Sequence, residues 1–220
     1  MEIHNLGETS SLFNSFMSEI RDEKIQQDAL RFRRNLERVG EIMAYEISKT
    51  FEHSIQEVTT PLGVAKVDNP DLKPVLATVL RAGLPFHNGF LNYFDSSENT
   101  FICAHRKVTG KNDFEIAFEY ISSPDLTGKT IILVDPMLAS GMSMDIGYQA
   151  LFQRGTPGKV HIAAVIASRA GIEYLQKSLG GKDITLWVGA IDEELNDKSY
   201  IIPGLGDAGD LAYGEKMDRD

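Results

Sequence analysis

A single cysteine, Cys103, is all the sulfhydryl chemistry in these 220 residues. No intrachain disulfide can form, and Cys103 sits in the apolar run Phe101-Ile102-Cys103-Ala104, where it reads as a small buried hydrophobe. The chain is also short of positive charge. Lys and Arg number 22 against 32 Asp and Glu, a formal net charge of -10. That argues against a dedicated nucleic-acid binder or a protein of anionic membrane surfaces, both of which need a basic face. A small basic pocket for a phosphorylated ligand stays compatible with it. The five histidines show no zinc-ligand spacing. No apolar run approaches the ~18 residues of a transmembrane helix, and MEIHNLGETS has no signal-peptide pattern. A cytoplasmic protein with no membrane and no nucleic-acid partner is the expectation. Apolar and charged fractions of 42% and 25% are ordinary for a globular domain.

Periodicity predicts a helix over 9–20, capped by Thr9 or Ser10, with Leu12, Phe13, Phe16, Met17 and Ile20 on one face. A longer helix over 25–51 carries Phe32, Leu36, Val39, Met43 and Ile47. These two helices, preceding any strand, read as an N-terminal extension. Strands over 54–60 and 64–67 flank a turn at Pro61-Leu62-Gly63. Past Asn69-Pro70 strands and helices alternate. Strands are expected at 75–80, 101–104, 130–134, 160–167 and 184–188, and helices near 85–94, 143–154 and 170–179. An extended segment spans 114–121. Near-continuous apolar strands separated by helices imply an α/β fold with a roughly five-stranded parallel sheet, helices on both faces. Segment 192–220, rich in Gly, Pro and Asp, breaks the alternation, and with the N-terminal segment it forms a cap over the sheet.

In such sheets ligands bind beyond the carboxyl ends of the strands. After 130–134 the chain reads Asp135-Pro136-Met137-Leu138-Ala139-Ser140-Gly141-Met142-Ser143, then a helix. Asp135 can accept bonds from sugar hydroxyls. Ala139 to Ser143, small residues at a helix start, offer backbone N–H groups and two hydroxyls to a phosphate. A carboxylate for a diol followed by an anion cradle suits a ribose 5-phosphate. Spacing alone is equally satisfied by a strand–turn–helix with a capping serine.

The residues themselves go further. Val134-Asp135-Pro136-Met137-Leu138-Ala139 resembles the PRPP (5-phosphoribosyl 1-diphosphate) signature of type I phosphoribosyltransferases in its uracil phosphoribosyltransferase version. That family usually reads Ala-Thr-Gly-Gly-Ser where this chain has Ala139-Ser140-Gly141-Met142-Ser143. Thr78-Val79-Leu80-Arg81-Ala82-Gly83-Leu84 resembles its second motif. His105-Arg106 resembles a third, usually Tyr-Arg, and the following Lys107-Val108 departs from an Asn-Glu pair. Tyr200-Ile201-Ile202-Pro203-Gly204-Leu205-Gly206-Asp207-Ala208-Gly209-Asp210 is similar, almost residue for residue, to the family's uracil-binding string. Residues 204–209 also fit G-x-G-x-x-G, but only 11 residues follow Gly209, too few for the βαβ unit of a dinucleotide site.

The resemblance implies a pentosyltransferase making UMP and pyrophosphate from uracil and PRPP, with Mg2+ held mainly by PRPP. It implies that Arg81 and Arg106 hold the diphosphate, a task for bidentate guanidinium groups. Asp135 would hold the ribose, and the stretch from Pro136 through Met137, Leu138, Ala139, Ser140, Gly141 and Met142 to Ser143 the 5-phosphate. Asp207 would lie near PRPP and the metal, and the main chain of Ile201, Gly206, Asp207 and Ala208 would bind uracil. Arg81, Arg106 and Asp207 are the residues placed at the reaction itself. Residues 107–113 would be the loop that closes over PRPP. The resemblance implies one domain: 1–68 a helical and hairpin extension, 69–191 the PRPP-binding core, 192–214 the uracil-binding cap, 215–220 a tail. It also implies a homodimer or larger homo-oligomer. The alternative is a pyrimidine regulator on the same fold, binding PRPP or UMP without turnover.

Overall fold

The computed structural model describes residues 1–70, 73–108 and 114–216, with backbone alone for 104–108 and 114–119. In chain order the elements are β1 (Glu2–Asn5), α1 (Leu12–Arg21), α2 (Ala29–Ser48), β2 (His53–Thr60), β3 (Gly63–Pro70), β4 (Val75–Val79) and α3 (Gly83–Leu91). Then come β5 (Asn99–Val108), β6 (Phe114–Ser122), β7 (Ile131–Val134), β8 (Met137–Leu138), α4 (Met142–Leu151), β9 (Val160–Ala164) and β10 (Ile166–Ser168). The last are α5 (Arg169–Ser178), β11 (Ile184–Val188), β12 (Ile191–Asp192), β13 (Glu194–Leu195), β14 (Ile201–Ile202) and α6 (Ala208–Tyr213).

The main sheet has seven strands in the order β1-β11-β9-β7-β4-β5-β6. The five expected parallel strands form its centre. β1 adds a further parallel strand at one edge, Glu2 facing Thr185, and β6 an antiparallel one at the other. β1 corrects the expectation that two helices precede any strand. Its four residues are too few to display a period, and only their partner β11 makes them a strand. Cys103 lies in β5 and is partly exposed rather than buried.

Alternation along the strands sorts side chains between two cores. Leu76, Ile132 and Val134 face the side covered by α1, α2 and α3, with Phe32, Leu36, Phe86 and Phe90. Val75, Ala77, Ile131 and Leu133 face α4 and α5, with Met144, Tyr148, Ile172 and Leu175. The first core also takes in Ile201, Leu205, Ala208 and Ala212 from the C-terminal segment. There Arg33 Nη1 donates to the Ala212 carbonyl at 2.6 Å, joining α2 to α6.

Helices α3 and α4 end about three residues before their expected limits, and the starts of α1 and α2 differ for identifiable reasons. Ser11, not Thr9 or Ser10, caps α1, in a reciprocal box with Asn14. The helix expected over 25–51 is divided: a 3₁₀ turn at Ile25–Gln27 ends at Asp28, whose carboxylate accepts from Leu30 N and Arg31 N and starts α2 afresh. The stripe Phe32, Leu36, Val39, Met43 and Ile47 is buried, each side chain contributing about 1.5–3 kcal/mol. Packing therefore holds α2, and its cap, worth about 1 kcal/mol, sets where it begins.

The hairpin β2–β3 pairs from His53↔Pro70 to Thr60↔Gly63. Three short strands form a second sheet, β12-β10-β8. Each continues one strand of the main sheet after a break: β7 into β8, β9 into β10, β11 into β12. The expected strand 160–167 is thus two strands. β13 and β14 make a separate antiparallel pair.

Asp28→Ala is expected to lower the unfolding free energy by about 1 kcal/mol, and Asp28→Asn by a few tenths. Urea unfolding of the three proteins measures this. Equal stability of the Ala variant would show that the cap does not set the start of α2.

Candidate active site

β4 and β7 are neighbours, with Thr78 opposite Val134. The chain runs from β4 outward to β5 and β6 and then returns to β7 on the other side of β4. This reversal opens a crevice at the carboxyl ends of the two strands. Arg81 leaves the end of β4 and Asp135 the end of β7.

A cavity of about 270 Å³ lies there, lined by Arg81, Asp135, Met137, Ala139, Ser143 and Asp207 among others. Ala208 completes that wall. Gly206 and Asp207 also line an adjoining cavity of about 460 Å³ together with Gln26 and Gln27. Among the sequence-predicted residues, Pro136, Leu138, Ser140, Gly141 and Met142 line neither cavity, and Ile201 stands back from both, its side chain buried in the core and its backbone paired with Leu195. Arg106 lies in β5 opposite Ile116; its side chain lies outside the described residues. So does segment 109–113, the heart of the expected closing loop.

The loop between β7 and α4 is shaped from behind. Asp135 Oδ1 accepts from Met137 N at 3.2 Å, and the Pro136 carbonyl accepts from Ile166 N at 3.0 Å. Met137 and Leu138 form β8 against β10. The Ala139 carbonyl turns away from the cavity to accept from Ser168 Oγ at 2.6 Å, and the same Oγ accepts from Gly171 N at 2.9 Å. A Cβ on Gly171 would stand 2.3 Å from that carbonyl oxygen, so α5 reaches the loop only because residue 171 has no side chain. Gly141, at φ +84°, caps α4, a conformation that favours glycine. Met142 and Ser143 form the first turn of α4. The open N–H groups of a helix's first turn face its N-terminal side, which here is the cavity's side.

Arg81 Nη2 donates to Asp210 Oδ1 and to the Gly214 carbonyl, both at 3.2 Å. The pair is 43% and 31% exposed, and such pairs contribute about 0–1 kcal/mol. Another anion can displace Asp210 at small cost. Asp207 caps α6, its carboxylate accepting from Asp210 N at 2.9 Å. Burial pushes the Asp135 carboxyl up to about 7, against the opposing pull of the Met137 N–H.

Sequence reasoning missed Ser168 and Gly171, whose spacing carries no ligand motif. It also missed Lys216, which lines the cavity from the segment read as a tail.

The chain matches the family model described as uracil phosphoribosyltransferase over residues 8–215. It is 55% identical over 217 residues to a uracil phosphoribosyltransferase of Porphyromonas gingivalis, covering 99% of this chain and 100% of that one. A protein of Aquifex aeolicus of known structure superposes with a TM-score of 0.82 at 30% identity, over 96% of this chain and 98% of that one. Orotate phosphoribosyltransferase of Mycobacterium tuberculosis, solved with PRPP, shares the fold with a TM-score of 0.51 at 12% identity, over 86% and 95%.

The raised carboxyl of Asp135 has a signed effect on stability. Its folded value, about 7, exceeds the ordinary 3.8, so the folded state favours the protonated form. Ionisation therefore weakens the fold progressively from about pH 4 to about pH 7. Asp135→Asn lacks this slope. The unfolding free energy of the variant relative to the parent is expected to rise between about pH 4 and pH 8, measured by urea unfolding at both. A constant difference would place the carboxyl in the ordinary range.

Proposed function

Because the chain belongs to the uracil phosphoribosyltransferase family, we propose that it transfers the 5-phosphoribosyl group of PRPP to N1 of uracil, forming UMP and pyrophosphate. The observation that carries this reading is one cavity, at the carboxyl ends of β4 and β7, walled by Arg81, Asp135 and Met137, by Ala139 and Ser143 from the two ends of the 139–143 loop, and by Asp207-Ala208.

In this reading Asp135 accepts from the ribose hydroxyls. The N–H groups opening α4 and the hydroxyls of Ser140 and Ser143 hold the 5-phosphate. Met142 keeps its backbone N–H there. Arg81 leaves Asp210 for the diphosphate, and Arg106, further along the sheet, joins it. As the bond from C1 to the diphosphate lengthens, negative charge grows on the leaving group and positive charge on the ribose. Fixed guanidinium groups stabilise the first. Uracil N1 then bonds to C1 and loses its proton, to the departing pyrophosphate or to water. No side chain acts as a nucleophile, so rate comes from positioning and charge stabilisation.

Mg2+ fits the site's hard oxygen donors, Asp135 and Asp207. Among the described residues no group of three His, Cys, Asp or Glu gathers to hold a metal, so PRPP supplies most of the oxygens. The ion would neutralise the diphosphate. Main-chain groups of Ile201, Gly206, Asp207 and Ala208 read the base. A homodimer or larger assembly belongs to the same reading. Its support is the exposed apolar hairpin β2–β3, with Ile55 71%, Leu62 100% and Val64 63% exposed.

UMP formation from labelled uracil, PRPP and Mg2+ is the direct test; a purified chain that makes none sinks the proposal. Asp135→Asn is expected to reduce turnover at limiting PRPP by about ten- to a hundredfold, because a charged hydrogen bond is worth about 1.5–3 kcal/mol. An unchanged rate would leave Asp135 with a structural role only. Cytosine presents a donor at C4 and an acceptor at N3, mismatching a fixed backbone at both, and each unpaired buried group costs about 1–3 kcal/mol. Uracil is expected to be preferred by at least about a thousandfold in kcat/KM. Competition kinetics measures the ratio, and cytosine turnover within tenfold would remove 201–208 as the base-reading segment.

A further inference from the structure

Arg21 ends α1 and Asp192 ends β12, and 171 positions of sequence separate them. They meet in a two-pronged ion pair, Nη1 to Oδ2 at 2.9 Å and Nη2 to Oδ1 at 3.0 Å. The Asp192 side chain is 8% exposed and that of Arg21 24%. Together they hold both backbone polar groups of one residue. Gly204 N donates to Asp192 Oδ2 at 2.9 Å, and Arg21 Nη1 reaches the Gly204 carbonyl at 3.4 Å. Gly204 has φ +60°, and a Cβ there would lie 2.0 Å from the Ile201 carbonyl oxygen. Ile201 and Leu205 anchor the two ends of this turn in the core, but Gly204 has no side chain of its own to fix it. The ion pair fixes it from outside.

Gly204 sits midway between Ile201 and Gly206–Ala208. Neither Arg21 nor Asp192 lines the cavity at Asp135. We infer that Arg21 and Asp192 are positioning residues for base recognition: their ion pair clamps Gly204 and holds the 201–208 main chain in the shape that pairs with uracil. The inference rests on the proposed function and extends it to two residues outside the pocket.

The fold predicts a divided effect. Asp192 belongs to β12, at one edge of the small sheet, and the PRPP loop rides on β8 at the other, with β10 between them. Loosening Gly204 leaves β8, Ser168 and Asp135 in place, and Asp207, the member of the loop on the PRPP cavity, is held separately by its cap on α6. Removing Arg21 strips a buried carboxylate of its partner; neutralising Asp192 breaks the ion pair and leaves the Gly204 N–H at most a weaker amide-oxygen acceptor. Either way the loop spends time in other shapes. A loop competent in about a tenth of molecules raises the apparent dissociation constant of its ligand about tenfold.

The test measures steady-state KM for uracil and for PRPP in the full-length parent, Arg21→Met, Arg21→Lys and Asp192→Asn, with Tm for each. The parent comes first, since a parent that forms no UMP overturns the proposed function itself. With an active parent, Arg21→Met and Asp192→Asn are expected to raise KM for uracil by about tenfold or more, with KM for PRPP within about twofold. Arg21→Lys keeps the charge but loses the fork and falls between. Discrimination against cytosine falls with the loss in uracil KM. An unchanged KM for uracil overturns the inference. So does a parallel rise of both KM values with a falling Tm, the mark of a general structural role. If Arg21→Met does not fold, Arg21→Lys and Asp192→Asn decide the matter on the same two KM values.

Discussion

Three parallel strands of the main sheet break at their carboxyl ends and pair again, and the site hangs from that second pairing. Ile166 N donates to the Pro136 carbonyl and Ala167 N to the Ala190 carbonyl, so β10 holds β8 on one side and β12 on the other. Each such bond nets only about 0.5–1.5 kcal/mol, but a buried partner left unpaired costs about 1–3 kcal/mol. Strands that bend therefore do so together or not at all. The result is a small rigid bracket. One edge carries Met137 and Leu138, leading into the loop proposed to hold the 5-phosphate. The other carries Asp192 and, through it, Gly204. Ser168, at the end of β10 and fully buried, links the bracket to α5 and to the Ala139 carbonyl.

Much of this was legible in the residues. Ile131 to Val134, apolar and mostly β-branched, announced a strand buried on both faces, and Asp135 and the residues from Ala139 to Ser143 were picked out as the loop that follows it. What was not legible has physical reasons. β8, β12 and β14 have two residues each, a single period of alternation that cannot be seen to repeat, and exist only through their partners. β1 is a strand because β11 offers it an edge. Asp28 starts a new helix inside a continuous apolar period, which the packing stripe conceals. Gly171 matters through a carbonyl 32 positions earlier, a relation that single-chain patterning does not display. Arg21 and Asp192 each look like ordinary surface charges until the fold brings them together.

Charge illustrates the same division between total and place. A net charge of -10 repels a polyanion at long range, but at physiological ionic strength the Debye length is about 8 Å. Beyond that distance the acidic surface is largely screened. What a phosphate meets in the crevice is the local set: Arg81, Lys216 and the opening of α4. Asp135 and Asp207 stand on the same wall. Burial pushes the Asp135 carboxyl up to about 7, so a cation or hydroxyl donor brought to it favours its charged form.

The edge strand β1 has a consequence for how the molecule is made. Glu2 precedes its partner Thr185 by 183 positions, so the strand has no edge to join until that much more chain has been made. The hairpin β2–β3 and helices α1 and α2 can form early from neighbours in sequence. The sheet cannot close on that side until β11 has emerged. Non-local pairing of this kind slows folding, and an unpaired strand is a template for the wrong partner. Brevity is β1's protection. Four residues pair too weakly to capture a passing chain, but suffice once β11 and Trp187, stacked on His4 at 4.1 Å, are in place.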